Sequence, residues 1–273
     1  MKYVDTIICF AGVVLLAYWL LKTSLGRRAL ADSVPRRNNM PFYLPLIPFF
    51  FSFGAVSLVV IIAGGLTEDW PDWQNAIAEN VALCVGTILA VILMILLARA
   101  HFARRLKGFG LNLRAFARDL LAAPLYLLAA WPLIMAAIWL TIQLTQLTSG
   151  RKYELQQHEQ LQVVTENPDL ALRILVVAGA VVVGPLFEEL LFRGLIQTTM
   201  RSFLFEAGNR AWLAILFSSG FFMIMHQDPG HWPALFVLGV CMGYAYEKSG
   251  SLWRPIFMHS IFNATSVIAT LSK

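Results

Sequence analysis

The sequence predicts an all-α fold, a polytopic transmembrane bundle of about eight helices in a single membrane domain. Apolar residues make up 58% of the chain and charged residues only 14%, whereas soluble domains are about 45–50% apolar and about 25% charged. The mean hydropathy is +0.67. The apolar residues are gathered into eight runs, and a helix needs roughly 20 such residues to cross a bilayer.

The eight runs are separated by short polar segments. In order, they cover residues 6–21, 42–66, 76–98, 120–147, 170–200, 211–227, 232–246 and 252–271. The first run is predicted to be an uncleaved span, because Leu25-Gly26-Arg27-Arg28 follows it instead of a small-residue cleavage site. The longest polar stretch, residues 148–169, is a candidate surface helix.

Loop charges predict the orientation of the bundle. The segments after the first, third, fifth and seventh runs are basic, and the segment after the second run is acidic. Because basic loops stay in the cytoplasm, both termini are predicted to face away from it. The net charge of +5 therefore sits where topology signals and contacts with anionic lipid belong, which argues against nucleic-acid binding.

One acidic pair lies inside the fifth run. Glu189 and Arg193 are four residues apart and share a helix face, so they can form an ion pair. Glu188 points about 100° away from Glu189, which leaves its carboxylate free for general-base work. Gly184-Pro185 lies one turn earlier and can kink the helix beside the pair.

Two further polar clusters lie in the sixth and eighth runs. His226 ends the sixth run, and His259 and Asn263 share one face of the eighth. An interhelical hydrogen bond is the structural alternative for His259 and Asn263. If helices five and six meet at a turn near Gly208-Asn209, Glu188 and His226 reach a similar depth.

This constellation suggests hydrolysis. Glu188 could take a proton from a water molecule that His226 helps to hold, and His259 with Asn263 could stabilise an oxyanion. The sequence contains neither GxSxG nor HExxH. Glu188, His226 and His259 could instead bind a divalent metal, and the spacing does not decide between the two mechanisms.

Three ordered motifs, EExxxR, FxxxH and HxxxN, resemble the CPBP family. Its members are intramembrane proteases related to the eukaryotic CAAX prenyl endopeptidase and to bacterial bacteriocin-processing and self-immunity proteins. The glycine-spaced helix at 239–243 and the Gly-Ser-Leu-Trp turn at 250–253 add to the likeness, which covers about residues 170–270. The motif residues are Glu188, Glu189, Arg193, Phe222, His226, His259 and Asn263.

The resemblance implies a catalytic core of about four spans in residues 170–273, preceded by about four divergent spans in residues 1–169. It implies Glu188 as the water-activating base, with Glu189 and Arg193 as its structural partner pair. His226 would be a second ligand of the water or of a metal. His259 and Asn263 would lie at the oxyanion or metal position.

The resemblance leans towards a glutamate mechanism that needs no cofactor, with one divalent metal such as zinc as the alternative. The expected partners are a membrane-associated or lipidated protein substrate and the bilayer of a bacterial cytoplasmic membrane. Two other functions compete with an endopeptidase. One is a non-proteolytic scaffold or self-immunity factor that uses the same groove, and the other is a transporter with a buried Glu–Arg gate.

Overall fold

The computed structural model describes residues 2–33, 35–149, 165, 169–204 and 210–271. Within these residues the chain forms eight helices of 15 residues or more and no strand, so the predicted all-α class is confirmed. The helices, labelled α1 to α8, are Lys2–Lys22, Leu46–Leu66, Asp72–His101, Phe116–Ser149, Leu170–Phe203, Arg210–Ile224, Trp232–Ser249 and Trp253–Leu271. Most of the proposed surface helix at 148–169 and the proposed turn at Gly208-Asn209 lie outside the described residues.

Proline and glycine set several helix boundaries. Helix α2 follows Pro45, and α3 follows Pro71, because proline fits the first helical turn, where its missing N–H costs nothing. Helix α7 ends at Gly250, whose φ of +70° closes the helix in the left-handed conformation. The next helix, α8, begins three residues later, so this turn fixes where His259 enters the bundle.

Four of the helices are long and apolar enough to cross a bilayer. They are Leu46–Leu66, Asp72–His101, Leu113–Thr148 and Leu170–Phe203, and the segments Thr6–Lys22 and Arg210–Ile224 are shorter apolar helices. Large side chains on α2 face outwards, with Phe50 65% and Ile61 70% exposed. Such a surface is incompatible with water, so the chain is an integral membrane protein.

The core lies where the helices of the second half meet α3 and α4. Helix α4 packs against α1, α7 and α8, α2 packs on α3, and α6 packs on α7. The main buried cluster draws one or more side chains from each of α3 to α8, among them Met94, Leu127, Leu190, Phe222, Leu238 and Met258. Helix α5 is therefore enclosed by neighbours along the segment that carries the acidic pair.

Helix α5 departs from α geometry on both sides of this pair. Residues Gly179–Val183 and Leu190–Gln197 are π-helical, and Gly184–Glu189 lies between them as a short α-helical stretch that starts with Pro185 in its first turn. π-Helical turns inside α-helices often occur at functional sites. The kink predicted at Gly184-Pro185 stays a prediction, since the π-helical segments lie before and after this stretch, which is itself α-helical.

Candidate active site

The ion pair between Glu189 and Arg193 is buried at the centre of the bundle. Arg193 Nη1 donates to Glu189 Oε1 over 2.8 Å, and neither side chain has any exposed surface. The predicted i, i+4 contact is therefore present. In a low-dielectric interior an unpaired charge is very unfavourable, so each side chain of the pair needs the other as its partner.

The surroundings of Arg193 explain why the neighbouring helix carries glycines. Arg193 Nη2 donates to the Gly239 carbonyl over 3.3 Å, and the guanidinium lies 4.5 Å from the centre of the Phe222 ring. A Cβ atom on Gly239 would come within 3.0 Å of Ser219 Cβ and 3.3 Å of Arg193 Nη2. The glycines of α7 thus allow close helix packing inside the bundle.

His259 contacts both glutamates. Its Nδ1 lies 3.0 Å from Glu189 Oε1, and its Nε2 lies 3.9 Å from Glu188 Oε2. The His259 side chain is only 4% exposed, while that of Glu188 is 26% exposed. The structure therefore brings Glu188, Glu189, Arg193 and His259 together, even though they come from helices separated by about 70 residues of chain.

The two carboxylates have different environments. Glu189 accepts hydrogen bonds from Arg193 and His259 through one oxygen. Glu188 Oε2 is buried and has no hydrogen-bond partner among the described residues, and the same holds for Glu189 Oε2. The difference is that Glu189 is paired with Arg193, whereas Glu188 Oε2 only faces His259 Nε2 at 3.9 Å. The role of Glu188 as a general base stays a prediction.

His226 is linked to this group only through Phe222 among the described residues, and no hydrogen bond or ion pair joins it to either glutamate or to His259. Its Nδ1 lies 2.8 Å from the Phe222 carbonyl, and a carbonyl oxygen only accepts, so Nδ1 is the donor of this hydrogen bond. The Phe222 ring makes edge contacts with both imidazoles, at 4.7 Å from His226 and 5.7 Å from His259 between ring centres. Phe222 is fully buried and separates the two histidines.

Asn263 makes an interhelical hydrogen bond. Its Nδ2 donates to the Ala180 carbonyl over 2.8 Å, within the first π-helical segment of α5. This is the structural alternative that the sequence left open for the residue. The contact fixes α8 against α5 one turn beyond His259 and leaves the second N–H of the amide for another acceptor.

No group of three or more His, Cys, Asp or Glu side chains in the described part of the chain is arranged to hold a metal ion. A catalytic zinc site requires about three protein ligands at roughly 2.0–2.3 Å. Glu188, His226 and His259 do not form such a set in this geometry, and His259 Nδ1 is already engaged by Glu189. The metal alternative therefore has no support from the arrangement of the donors.

A second buried polar cluster was missed by the sequence reasoning. Gln197, one turn after Arg193, donates to Glu247 Oε1 over 3.0 Å and to the Gly243 carbonyl over 3.2 Å. Glu247 also pairs with Arg201 and lies 3.9 Å from Arg36. Glu189, Arg193 and Gln197 are spaced four residues apart in the sequence. This spacing places them on one helix face and is the pattern that indicates the second cluster.

Arg36 ties the α1–α2 loop into this second cluster. Its Nη2 donates to the Tyr246 carbonyl over 3.0 Å, and its guanidinium lies 3.4 Å from the centre of the Tyr246 ring. The pKa of Arg36 lies below its ordinary value, because burial lowers it by more than the nearby Tyr246 raises it. The sequence places Arg36 among the basic residues of this loop. In the structure its side chain holds the loop against the bundle.

Comparisons with known proteins match parts of this chain. Residues 170–265 match the family described as "Type II CAAX prenyl endopeptidase Rce1-like". The chain is 33% identical over 101 residues to "Putative membrane peptidase YdiL" of Bacillus subtilis (strain 168), which is 37% of this chain and 39% of that relative. No solved structure matches the chain significantly. Both matches confirm the resemblance drawn from the three motifs.

Proposed function

We propose, on the premise that residues 170–265 are a segment of the CPBP protease family, that this chain is an intramembrane endopeptidase. It would hydrolyse a peptide bond in a membrane-associated or lipidated protein or peptide. The single observation that carries the proposal is the position of His259, with Nδ1 at 3.0 Å from Glu189 and Nε2 at 3.9 Å from Glu188. The family match and the relative cover only part of each chain, so the activity is inferred from this arrangement.

Glu189 orients the His259 imidazole in this proposal. Arg193 donates to Glu189 Oε1, and a carboxylate oxygen accepts hydrogen bonds. His259 Nδ1 would donate to the same oxygen over 3.0 Å, and Nε2 would be the acceptor on the side of Glu188. A carboxylate that orients an imidazole from behind is a common arrangement in catalytic sites.

The gap between His259 and Glu188 suits a single water molecule. Glu188 Oε2 and His259 Nε2 lie 3.9 Å apart, beyond direct hydrogen-bond distance. One water molecule can donate a hydrogen bond to each of them. Glu188 would take a proton from that water while the oxygen forms a bond to the scissile carbonyl carbon. The protonated Glu188 would then pass its proton to the leaving nitrogen as the C–N bond breaks.

His226 and Asn263 have supporting roles in this proposal. Nε2 of His226 would receive a hydrogen bond from the substrate, since both protons of the water are already directed at Glu188 and His259. The second N–H of Asn263 would donate to the oxyanion that forms on the substrate carbonyl. No step is assigned to a metal ion.

Replacement of Glu188 by glutamine tests the proposal. We expect cleavage to fall by about 10²–10⁴-fold, because glutamine keeps the shape of the side chain and cannot accept the proton. The protein should still fold, since Glu188 Oε2 has no hydrogen bond to lose among the described residues. The matched control is Glu68→Gln, in the exposed α2–α3 loop.

The measurement is a comparison of membrane proteomes from cells that express the wild type, Glu188→Gln or Glu68→Gln. New C-termini should appear with the wild type and with Glu68→Gln only. If Glu188→Gln yields the same C-termini at the same abundance, the chain does not act through this carboxylate. A purified assay with EDTA adds a second criterion, because a loss of cleavage that zinc restores would contradict the metal-free step.

A further inference from the structure

A cavity lined by cations lies at one end of the bundle, away from the glutamates. It has a volume of about 360 Å³ and lies between the α3–α4 connection and the turn from α7 to α8. We call it the basic cavity. The side chains used here are Arg104, Lys107, Arg114 and Arg118 on one wall and Ser249 and Ser251 on the other.

The positive charges in this cavity are largely uncompensated. Arg118 contacts Asp119 over 3.2 Å, and Asp119 is in turn held by Arg254 at 2.6 Å. Arg104, Lys107 and Arg114 make no salt bridge to any residue that the structure describes. Like charges that share one concavity repel each other, and an anion bound among them would relieve that repulsion.

The walls of the cavity are fixed to each other by hydrogen bonds. The Gly110 carbonyl accepts from Leu252 N over 3.0 Å and from Ser251 Oγ over 3.4 Å. Gly110 has a φ of +113°, and a Cβ atom there would come within 3.0 Å of Leu252 N. The two segments that carry the cations and the serines are therefore packed closely, and the exposed side chains of Arg104, Lys107 and Arg114 extend from this fixed backbone.

The position of the cavity indicates the kind of anion that fits it. Residues 104–112 connect two candidate membrane spans, Asp72–His101 and Leu113–Thr148, so the cavity opens at the level where lipid headgroups meet water. Guanidinium groups match the oxygens of a phosphate with paired hydrogen bonds. A volume of about 360 Å³ is near the lower end of the range of small-molecule sites, roughly 300–1,000 Å³.

We propose that the basic cavity binds a phosphate group. The phosphate would come from an anionic phospholipid headgroup or from a soluble phosphate compound, and both present the same chemistry to these residues. Arg104, Lys107 and Arg114 would contact its oxygens, while Ser249, Ser251 and Arg118 would bound the site. This site is separate from the proposed hydrolytic residues and does not depend on their function.

The test uses the full-length protein and two variants with equal loss of charge. Arg104→Gln, Lys107→Gln and Arg114→Gln are combined in the cavity variant. Arg27→Gln, Arg28→Gln and Arg37→Gln are combined in the control, because these side chains are exposed and do not line the cavity. Circular dichroism and thermal unfolding verify that both variants fold, and Arg114→Gln alone is a milder second variant.

Two probes distinguish the sources of the phosphate. Retention of phosphatidylglycerol against phosphatidylcholine is measured by native mass spectrometry, and binding of pyrophosphate is measured by calorimetry in phosphatidylcholine nanodiscs. We expect the cavity variant to lose about tenfold or more in affinity for at least one probe, and the control to change by less than about threefold. Loss for the lipid alone identifies a headgroup site, and loss for pyrophosphate identifies a soluble ligand.

The proposal is overturned if the wild type binds neither probe. It is also overturned if the cavity variant and the control lose affinity equally, since the attraction would then come from the general charge of this face.

Discussion

At the scale of single residues, the main feature is an ion pair that shares an oxygen with an imidazole. Glu189 Oε1 accepts from Arg193 at 2.8 Å and from His259 at 3.0 Å. Both members of the pair are fully buried, so water does not screen them. Desolvation opposes the burial of each charge, and the mutual contact, the Gly239 carbonyl, His259 and the Phe222 ring offset it.

Removal of one member of this pair should therefore destabilise the protein strongly. We expect Glu189→Ala to lower the free energy of unfolding by about 3–5 kcal/mol, because it leaves the Arg193 guanidinium buried without its counter-charge. Glu68→Ala removes an exposed carboxylate and should change stability by less than about 0.5 kcal/mol. Denaturant unfolding in detergent micelles measures both. If Glu189→Ala unfolds at the same denaturant concentration as the wild type, the buried pair does not stabilise the fold.

At the scale of helices, close packing depends on where the glycines lie. In α3, a Cβ atom on Gly86 would come within 2.9 Å of Val56 Cα and 3.2 Å of Val56 N in α2. Both are backbone atoms, so the clash is relieved only if α2 moves away from α3. By contrast, a Cβ atom on Gly64 in α2 would meet nothing within 4 Å. Both positions hold a glycine within a helix, but the groups that face them differ.

These two glycines should respond in opposite ways to alanine. Gly86→Ala should lower stability by about 1–3 kcal/mol, because the added methyl group forces α2 away from α3. Gly64→Ala should leave stability unchanged or raise it by up to about 1 kcal/mol, since alanine favours the helix. Thermal unfolding of the two variants in the same detergent compares them. Equal melting temperatures would contradict the contact between α2 and α3.

At the scale of the whole molecule, the alternation of loop charge predicts the orientation of the bundle. The loop after α2 carries Glu68 and Asp69, whereas the segments on either side of it in the sequence are basic. The basic cavity lies in one of these segments, after α3. If the positive-inside rule holds for this chain, the cavity faces the cytoplasm and the acidic loop faces the opposite side.

Cysteine labelling tests this orientation. The free cysteines Cys9, Cys84 and Cys241 are first replaced by alanine, and single cysteines are then introduced as Glu68→Cys and Leu113→Cys, both at exposed positions. We expect a membrane-impermeant maleimide to label Glu68→Cys in intact cells and Leu113→Cys only after lysis. The reverse pattern would mean that the termini face the cytoplasm.

The helix runs and the i, i+4 pairs could be predicted from the sequence because they depend on neighbours along the chain. Apolar runs of sufficient length must become helices in a bilayer, since every backbone polar group there needs an internal partner. The contact between Glu189 and Arg193 follows from helical spacing alone. The family resemblance followed from the order of three short motifs, and none of these inferences required the packing of one helix on another.

The tertiary structure decided which residues meet across helices. That His259 lies against Glu188 and Glu189, that Asn263 binds the Ala180 carbonyl, and that Arg36 enters a buried cluster with Glu247 all depend on helix packing. Local sequence spacing carries no information on the depth or rotation of one helix relative to another. Those are set by the summed packing of many side chains and by glycines that allow close approach, which only the folded bundle specifies.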